Sequence, residues 1–315
     1  MKVLITEDLW WPLPDWFQIA HNVTYEPDLY TDPMNLVAEG SSVQALIVRN
    51  RTVVSRALLE QFPDLEVVGR LGVGLDNIDL TACKDRGISV ITARGFNANA
   101  VAEYVFAAMF ERARFLRTSD TSIKQGIWNR KMGTGLELSG KTLGLIGVGD
   151  IGQRVALRAN AMAMNVLAYD PFLLDSNLLL QDRMIKRVEL DEVFRSSDYI
   201  SIHVPLLPTT LHLISDRELQ LMKEDVVLIN TSRGGIIDEG ALLTSLRMHP
   251  NRLAVLDVRE QEPPSATDEL TQLKNVLLTP HIAGITRESS EAVAEFILRQ
   301  VDKKLMGESV QGIVI

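Results

Sequence analysis

Short β-branched and aliphatic runs recur along this chain, and their regularity constrains the fold more than any other feature. The most regular series comprises Leu143–Val148, Val166–Tyr169, Tyr199–His203, Val226–Asn230, Ala254–Asp257 and Val276–Thr279. These runs are apolar at successive rather than alternate positions, which is typical of strands that are covered by helices on both faces. The series therefore predicts an α/β unit built around a mostly parallel sheet.

An earlier series in the first third of the chain predicts a second α/β unit. Its runs are Val3–Ile5, Ala45–Val48, Val67–Gly69 and Ile88–Ile91, with helical stretches such as Arg56–Glu60 between them. After this series, Asn97 is a good N-cap, and apolar residues at 101, 105, 108 and 109 have the spacing of an amphipathic helix. We expect this helix to bridge the two units, and a final helix to run from about 288 to 304.

Composition excludes several classes of protein. The 315 residues suit about two domains of ~150 residues. The formal net charge of −9 gives no general attraction to nucleic acids or anionic membranes. A single cysteine, Cys83, allows neither a disulfide framework nor a cysteine-based zinc site. No apolar run reaches the ~18 residues that span a bilayer, and acidic residues occur too early for a signal peptide. We therefore expect a cytoplasmic protein without a metal site.

The run Gly147–Gly152 is a G-x-G-x-x-G that follows a predicted strand and opens a predicted helix. Its glycines permit a tight turn, close approach of the backbone to a pyrophosphate, and close packing of helix on strand. The next strand ends in Asp170, near the ~20-residue spacing expected for the acid that binds the ribose hydroxyls. Pro171 and Phe172 follow it, without a basic residue for a 2′-phosphate, which favours NAD over NADP. The alternative is a glycine turn of another α/β fold.

A second glycine-rich segment, Gly72–Asn77, lacks the third glycine of that motif because its sixth position is Asn77. We interpret the segment as a tight turn after the strand at 67–70. Its amide groups either form a small anion-binding nest or serve the turn alone, and the residues leave both interpretations open.

Groups suited to acid–base chemistry follow successive strands of the second series. Arg233 lies on a turn of small residues after one strand, Glu262 follows the next, and His281 comes directly after the last. Open α/β sheets place their sites beyond the carboxyl ends of the strands. A histidine there can act as general acid and base, and a guanidinium suits a carboxylate. Each residue alone would most often be structural, but their shared location favours an active site.

The other histidines are expected to have structural or surface roles. His21, His212 and His249 lie in polar or helical surroundings. His203 ends a strand, where its ring either lines a cleft or, as we favour, makes a structural hydrogen bond.

These segments together resemble the D-isomer-specific 2-hydroxyacid dehydrogenases, which include D-3-phosphoglycerate dehydrogenases, hydroxypyruvate and glyoxylate reductases, and D-lactate dehydrogenases. The resemblance extends from about residue 44 to 286. The matching motifs are Gly72–Asp79, Val101–Glu103, Gly147–Gly152, His203–Leu206, Asn230–Gly235 and Thr279–His281. The resemblance implies two doubly wound parallel-sheet domains with the site in the cleft. A Rossmann NAD domain, residues 98–287, is inserted into a flavodoxin-like substrate domain, residues 1–97 and 288–315.

The resemblance also implies roles for individual residues. Arg233, Glu262 and His281 correspond to the catalytic trio, and the amides of Val73 and Gly74 to donors for the substrate carboxylate. Family members are usually homodimers with the helix near 99–115 at the interface. Cofactor contacts are implied for Gly147, Gly149, Asp150, Ile151, Gly152, Asp170, Val204, Pro205, Thr231, Ser232, Asp257 and Gly284.

These roles predict NAD-dependent interconversion of a D-2-hydroxy acid and its 2-keto acid. His281 takes up the hydroxyl proton on oxidation and returns it on reduction, Glu262 favours the protonated imidazole, and Arg233 anchors the carboxylate. The alternative is an NAD(H)-sensing corepressor of the same fold, since such proteins retain the trio. A formate dehydrogenase is disfavoured because that group typically has Gln where Glu262 stands.

The substrate's identity is the least determined feature. We expect its pocket to involve the loop Glu7–Pro12 and Arg49 or Arg51, either of which would suit a second anionic group such as a phosphate or carboxylate. Trp10 and Trp11 either shape this pocket or cover the domain core. Arg259 stands where the family commonly has an aromatic residue, and we expect altered packing there without a catalytic role. The regulatory C-terminal domain of some phosphoglycerate dehydrogenases is not expected.

Overall fold

The computed structural model describes residues 1–173, 177–180 and 183–315, which divide into two compact units. One unit comprises Met1–Asn97 and Ile285–Ile315, and the other Ala98–Gly284. The second boundary thus lies after residue 284, whereas the sequence placed it after 287. The reason is local, because the Thr286 side chain caps the final helix by accepting the Ser289 N–H. The residues just before the helix therefore belong with it.

The described residues form parallel strands alternating with helices. The strands are β1 (Lys2–Ile5), β2 (Asn22–Tyr25), β3 (Ala45–Val48), β4 (Val67–Arg70), β5 (Ser89–Thr92), β6 (Thr142–Ile146), β7 (Asn165–Tyr169), β8 (Asn177–Leu180), β9 (Arg183–Arg187), β10 (Tyr199–Ile202), β11 (Val227–Asn230), β12 (Leu253–Leu256) and β13 (Val276–Leu278). The α-helices are α1 (Asp15–Ala20), α2 (Pro33–Glu39), α3 (Arg56–Glu60), α4 (Leu80–Asp85), α5 (Ala98–Arg114), α6 (Leu116–Lys124), α7 (Asp150–Ala161), α8 (Leu190–Ser196), α9 (Asp216–Leu221), α10 (Glu239–Met248) and α11 (Arg287–Leu305).

The first unit contains a parallel sheet in the order β2-β1-β3-β4-β5, which is the flavodoxin-like order. Successive residues of β1 enter different cores: Val3 and Ile5 pack in a cluster with α11, while Leu4 packs on the opposite face. A Cβ at Gly69 would lie 2.8 Å from Ile297 Cγ2, so glycine allows α11 to approach the sheet closely. Both faces are covered, which explains the apolar runs.

The second unit contains a sheet in the order β13-β12-β11-β10-β6-β7-β9-β8, in which only the edge strand β8 is antiparallel among the described residues. The order from β9 to β13 is that of a Rossmann fold. The predicted fold class of two doubly wound α/β domains is confirmed. The sequence missed β2, β8 and β9, and α5, which it expected to bridge the units, falls within the second unit.

None of the helices in the described part of the chain is long and apolar enough to cross a membrane.

Candidate active site

The glycine-rich loop joins β6 to α7 at the point where the strand order of the second sheet reverses. Gly147 has φ +93°, and a Cβ there would lie 2.7 Å from the His203 carbonyl oxygen. A Cβ at Gly152 would lie 2.3 Å from the Gly147 oxygen, so α7 packs directly on the turn. A Cβ at Gly149 would meet no atom within 4 Å. The loop is therefore tight, closely packed and open at the middle glycine, as pyrophosphate binding requires.

Asp170 lies beside this loop at the end of β7. One of its carboxylate oxygens accepts the Val148 N–H at 2.9 Å, and the other accepts the Phe172 N–H at 2.9 Å. The two backbone bonds fix the carboxylate next to the glycine turn. This position fits the acid that binds the ribose hydroxyls of a dinucleotide.

Further polar atoms of the second unit fit a cofactor. Thr231 Oγ1 is buried without a hydrogen-bond partner in the described part of the chain, as expected for an atom that bonds a ligand. Val204 lies against the glycine loop, since a Cβ at Gly147 would be 2.9 Å from Val204 Cγ1. His203 Nε2 lies 2.9 Å from Ser201 Oγ, and desolvation of the ring lowers the pKa of His203 to about 3. His203 is therefore neutral, and its Nε2 makes the structural hydrogen bond that the sequence favoured, while Nδ1 is buried without a partner among the described residues.

The structure brings the three candidate catalytic residues to neighbouring strand ends, because β11, β12 and β13 pair side by side in parallel. His281 Nδ1 lies 2.8 Å from Glu262 Oε2. The other Glu262 oxygen, Oε1, accepts the Arg259 N–H at 3.0 Å. Because the side chains of His281 and Glu262 are 39% and 35% exposed, the pair can exchange protons with a small molecule.

The Glu262 carboxylate is stabilised in its ionised form. Burial acts to raise the pKa of Glu262, but the hydrogen bonds from the His281 ring and the Arg259 amide outweigh it. The positive charges of His281 and Arg233 add to the same effect, so the pKa of Glu262 lies below its ordinary value. Glu262 is consequently an anion at neutral pH.

The backbone of His281 adopts a left-handed conformation, with φ +56°. A non-glycine residue occupies this region only when its surroundings hold it there. The His281 N–H donates to the Asp257 carbonyl at 2.9 Å, and the Asp257 carboxylate accepts the amides of residues 282 and 283 at 2.7 and 2.8 Å. Asp257, predicted as a cofactor contact, is only 1% exposed and supports the turn that carries His281.

A hydrogen-bonded chain extends this support to α5. Thr279 Oγ1 donates to Asp257 Oδ1 at 2.6 Å, so the Tyr104 hydroxyl, 2.5 Å from Thr279 Oγ1, must donate to it. Burial raises the pKa of Tyr104, which keeps its proton in place at neutral pH. Neither Tyr104 nor Thr279 was identified from the sequence as a functional residue, and neither spacing nor residue type distinguished them.

Arg233 lies on a turn fixed by side-chain hydrogen bonds. Asn230 Nδ2 donates to the Arg233 carbonyl at 2.8 Å, and Asn230 Oδ1 accepts the Ser232 N–H at 3.0 Å. Next to it, a Cβ at Gly234 would lie 1.9 Å from the Arg259 carbonyl carbon. The turn that carries Arg233 therefore packs directly on the backbone of the loop that leads to Glu262.

In the first unit, the glycine turn predicted to bind a carboxylate is braced by a buried arginine. Arg70 Nε donates to the Gly74 carbonyl at 2.8 Å, and Nη1 donates to the Leu71 carbonyl at 2.8 Å. Gly72 has φ +151°, and its N–H donates to the Arg70 carbonyl at 2.7 Å, so the chain turns tightly here as expected. The binding role of the Val73 and Gly74 amides remains a prediction.

The first-unit loops that the sequence assigned to the substrate pocket are held by side-chain hydrogen bonds. The buried Glu7 carboxylate accepts the amides of residues 49–52. Arg49 donates to two backbone carbonyls and stacks on Trp10, with its guanidinium carbon 3.6 Å from the ring centroid. Trp11 packs on the core, whereas Trp10 is 41% exposed. Of the two tryptophans, Trp11 therefore covers the core.

Known proteins share this organisation. The family model for the NAD binding domain of the D-isomer specific 2-hydroxyacid dehydrogenases matches residues 106–283. The chain is 44% identical over 285 residues to the (S)-sulfolactate dehydrogenase of Chromohalobacter salexigens, covering 90% of this chain and 92% of that protein. It is 38% identical over 314 residues to the D-3-phosphoglycerate dehydrogenase of Archaeoglobus fulgidus, covering 100% of this chain and 59% of that protein.

Solved structures agree with these matches. A crystal structure of D-lactate dehydrogenase from Aquifex aeolicus, complexed with NAD and lactic acid, has a TM-score of 0.82 at 30% identity over 97% of this chain and 96% of that one. A protein from Thermus thermophilus reaches 0.89 at 30% identity, with full coverage of both chains. The resemblance inferred from the sequence is thereby confirmed. The chain belongs to the D-isomer specific 2-hydroxyacid dehydrogenases and is an NAD-dependent enzyme of that family.

Proposed function

We propose that His281, Glu262 and Arg233 carry out the interconversion of a D-2-hydroxy acid and its 2-keto acid in this protein. The observation that supports this most is the 2.8 Å contact between His281 Nδ1 and Glu262 Oε2. With Nδ1 engaged by the carboxylate, Nε2 is the ring nitrogen that exchanges a proton with the substrate. Bound NADH supplies the hydride for C2 of the keto acid.

The His281–Glu262 pair donates the proton that reduction consumes and accepts the proton that oxidation releases. In reduction, protonated His281 donates from Nε2 to the oxygen on C2, and the imidazole becomes neutral. In oxidation, the neutral ring takes the hydroxyl proton back. The ionised Glu262 stabilises the imidazolium through the Nδ1–H hydrogen bond.

Arg233 is proposed to bind the substrate carboxylate and to polarise the keto oxygen. Its guanidinium offers a planar fork of donors that matches a carboxylate, and its turn is held rigidly by Asn230. The amides of Val73 and Gly74 are proposed as further donors to that carboxylate. The brace that Arg70 provides beneath their turn supports this assignment.

We propose that the substrate is a short acid that carries a second anionic group. Two relatives are named for sulfolactate and phosphoglycerate. The first unit offers Arg51 as a cation for such a group, in a loop whose backbone amides bind the Glu7 carboxylate.

Turnover of hydroxypyruvate, phosphohydroxypyruvate, pyruvate and 2-oxoglutarate with NADH tests the function. We expect reduction of at least one of them, with the doubly anionic acids preferred. Tight NADH binding without turnover of any would favour the corepressor alternative.

The position of Asp170 predicts that the protein uses NADH in preference to NADPH. The Asp170 carboxylate, held by two backbone amides, should bond the free ribose hydroxyls and repel a 2′-phosphate. We expect kcat/KM for NADH to exceed that for NADPH by at least ~10-fold, or ~1.4 kcal/mol. Asp170→Asn, which removes the charge, should reduce this ratio. Equal values for both cofactors in the unmodified protein would place Asp170 away from the ribose.

We also propose a homodimer in the cytoplasm. The α6 helix and the segment after it expose large apolar side chains: Leu116, Ile123, Trp128 and Met132 are 70%, 50%, 75% and 60% exposed. Exposed apolar side chains of this kind favour an interaction surface, and they follow directly on α5, the helix expected at the family's interface. A second copy of the chain is the proposed occupant. The single cysteine, Cys83, is buried and free of a disulfide within this chain, which is compatible with the proposed cytoplasmic location.

A further inference from the structure

Arg259 is a buried charge beside the His281–Glu262 pair whose side chain the proposed mechanism does not use. Its Nε and Nη2 donate to the two carboxylate oxygens of Glu239 at 2.9 and 2.8 Å, and Nη2 also donates to Asp268 at 2.5 Å. The residue is 7% exposed. Burial opposes its charge, but the two carboxylates outweigh this cost and raise the pKa of Arg259 above its ordinary value. Arg259 is therefore a permanently charged and rigidly held side chain.

The backbone of Arg259 acts directly on the acid–base pair. Its N–H donates to Glu262 Oε1 at 3.0 Å, while Glu262 Oε2 faces His281. The next peptide is held as well, because the Glu260 N–H donates to Glu239 Oε1 at 2.9 Å. In return, the Glu260 side chain accepts the Glu239 N–H through Oε1 at 3.2 Å. Glu239 thus fixes both the side chain of Arg259 and the peptide that follows it.

The cluster is not explained by stability alone. A buried ion pair is often no more stabilising than apolar side chains of similar volume, since desolvation offsets the attraction. Arg259 Nη1 is also buried without a hydrogen-bond partner in the described residues, which adds to that cost. The family's usual aromatic side chain at this position could not bind Glu239 and Asp268. By binding Glu239 and Asp268, the Arg259 side chain holds the backbone N–H of Arg259 in place. That N–H is the donor to Glu262 Oε1.

We propose that Arg259 is a positioning residue, whose paired guanidinium fixes the peptide N–H that holds Glu262 Oε1 and so presents Glu262 Oε2 to His281. Glu239 and Asp268 belong to the same arrangement because they hold the guanidinium. This inference rests on the proposed function, since it concerns the coupling of Glu262 to the acid–base histidine. The charged groups that act on Glu262 itself are His281 and Arg233.

Arg259→Lys tests this role because it keeps the positive charge and loses the bidentate fork. We expect the alkaline limb of kcat/KM for keto-acid reduction to move to lower pH by ~0.5 unit, since a loosened Glu262 stabilises the imidazolium less. The decisive comparison is with Glu262→Gln, alone and combined with Arg259→Lys. In a protein that already carries Glu262→Gln, adding Arg259→Lys should not shift the alkaline limb of kcat/KM any further. The reason is that the carboxylate positioned by Arg259 is no longer present.

Arg252→Lys is the matched control. Arg252 is also a buried arginine of the second unit, 5% exposed, but it bonds Lys223, Ser245 and Met222 and does not contact Glu262. We expect this variant to lower Tm without moving the limb. NADH binding, measured by fluorescence, shows that each variant is folded. If Arg259→Lys does not fold, Glu239→Gln takes its place, with the same comparison in the Glu262→Gln background.

The outcomes separate this inference from the proposed function. If Glu262→Gln alone leaves the pH profile unchanged, the acid–base assignment is wrong and the role of Arg259 is overturned with it. If Glu262→Gln moves the limb and Arg259→Lys does not, only the role of Arg259 is overturned. An equal movement in both backgrounds also overturns it, because the effect would then not act through Glu262.

Discussion

His281→Ala is expected to lower kcat/KM by ~10²- to 10⁴-fold in both directions of the reaction, the range that general acid–base groups contribute. The reason is that the variant retains the cofactor loop and the Arg233 turn but has no group to donate or accept the substrate's proton. Steady-state rates of keto-acid reduction and hydroxy-acid oxidation provide the measurement. NADH affinity serves as the control and should change little. A variant with near-normal rates would show that another group transfers the proton.

Glu262→Gln should change the pH dependence more than the maximal rate. Glutamine retains the shape and a hydrogen-bonding group but removes the charge that stabilises protonated His281. The low pKa of Glu262 means that this charge is present throughout the neutral range, so its loss is felt there. The alkaline limb of kcat/KM for reduction should therefore move to lower pH by ~1 unit, with activity at acid pH largely retained. Oxidation needs neutral His281 and should become active at lower pH.

An exposed carboxylate that does not contact His281 provides the comparison for this variant. Glu269 pairs with Arg247 at the surface, and its side chain is 60% exposed. Glu269→Gln removes the same charge where solvent screens it, and should leave the profile unchanged. A profile that does not move in Glu262→Gln would separate Glu262 from His281 functionally, and the acid–base assignment would have to be abandoned.

Much of the fold could be predicted because the central strands are buried on both faces. In β3 and β4 each residue is buried. β3 is an unbroken apolar run in the sequence, and β4 is interrupted only by its last residue, Arg70. The edge strand β2, with the sequence Asn-Val-Thr-Tyr, is covered less completely, and its residues are exposed or half-buried. The β2 sequence lacks an apolar run because a strand at the edge of the sheet is not buried on both faces. A hydrophobic pattern therefore identifies the middle of such a sheet better than its edges.

The positions of the catalytic candidates could be predicted for a related reason. Parallel strands end at one edge of the sheet, so residues that follow β11, β12 and β13 come close together whatever the loops between them contain. The supporting residues gave no such signal. Arg259 and Glu239 are twenty positions apart, and Tyr104 lies on α5 whereas Thr279 follows β13. Their contacts depend on how loops and helices pack, which no periodicity in the sequence records.

Arg233→Lys should not behave as a conservative substitution. Lysine keeps the positive charge but presents a point donor instead of a planar fork, so it cannot bind both oxygens of a carboxylate in the same geometry. A hydrogen bond to a charged group contributes about 1.5–3 kcal/mol, so the loss of one predicts a fall in kcat/KM for the keto acid of roughly 10- to 100-fold. We expect KM to rise and kcat to fall together, because the guanidinium both anchors the carboxylate and polarises the carbonyl.

The control for Arg233→Lys is an arginine whose fork binds a carboxylate at the surface. Arg217 donates from two nitrogens to Asp191 at 2.9 and 2.6 Å, and its side chain is 64% exposed. Arg217→Lys loses the same fork where an ion pair contributes little, so its kinetics should match those of the unmodified protein. In Arg233→Lys, NADH affinity should stay nearly unaltered. If NADH affinity fell while KM for the keto acid did not change, Arg233 would belong to the cofactor site and would not anchor the substrate.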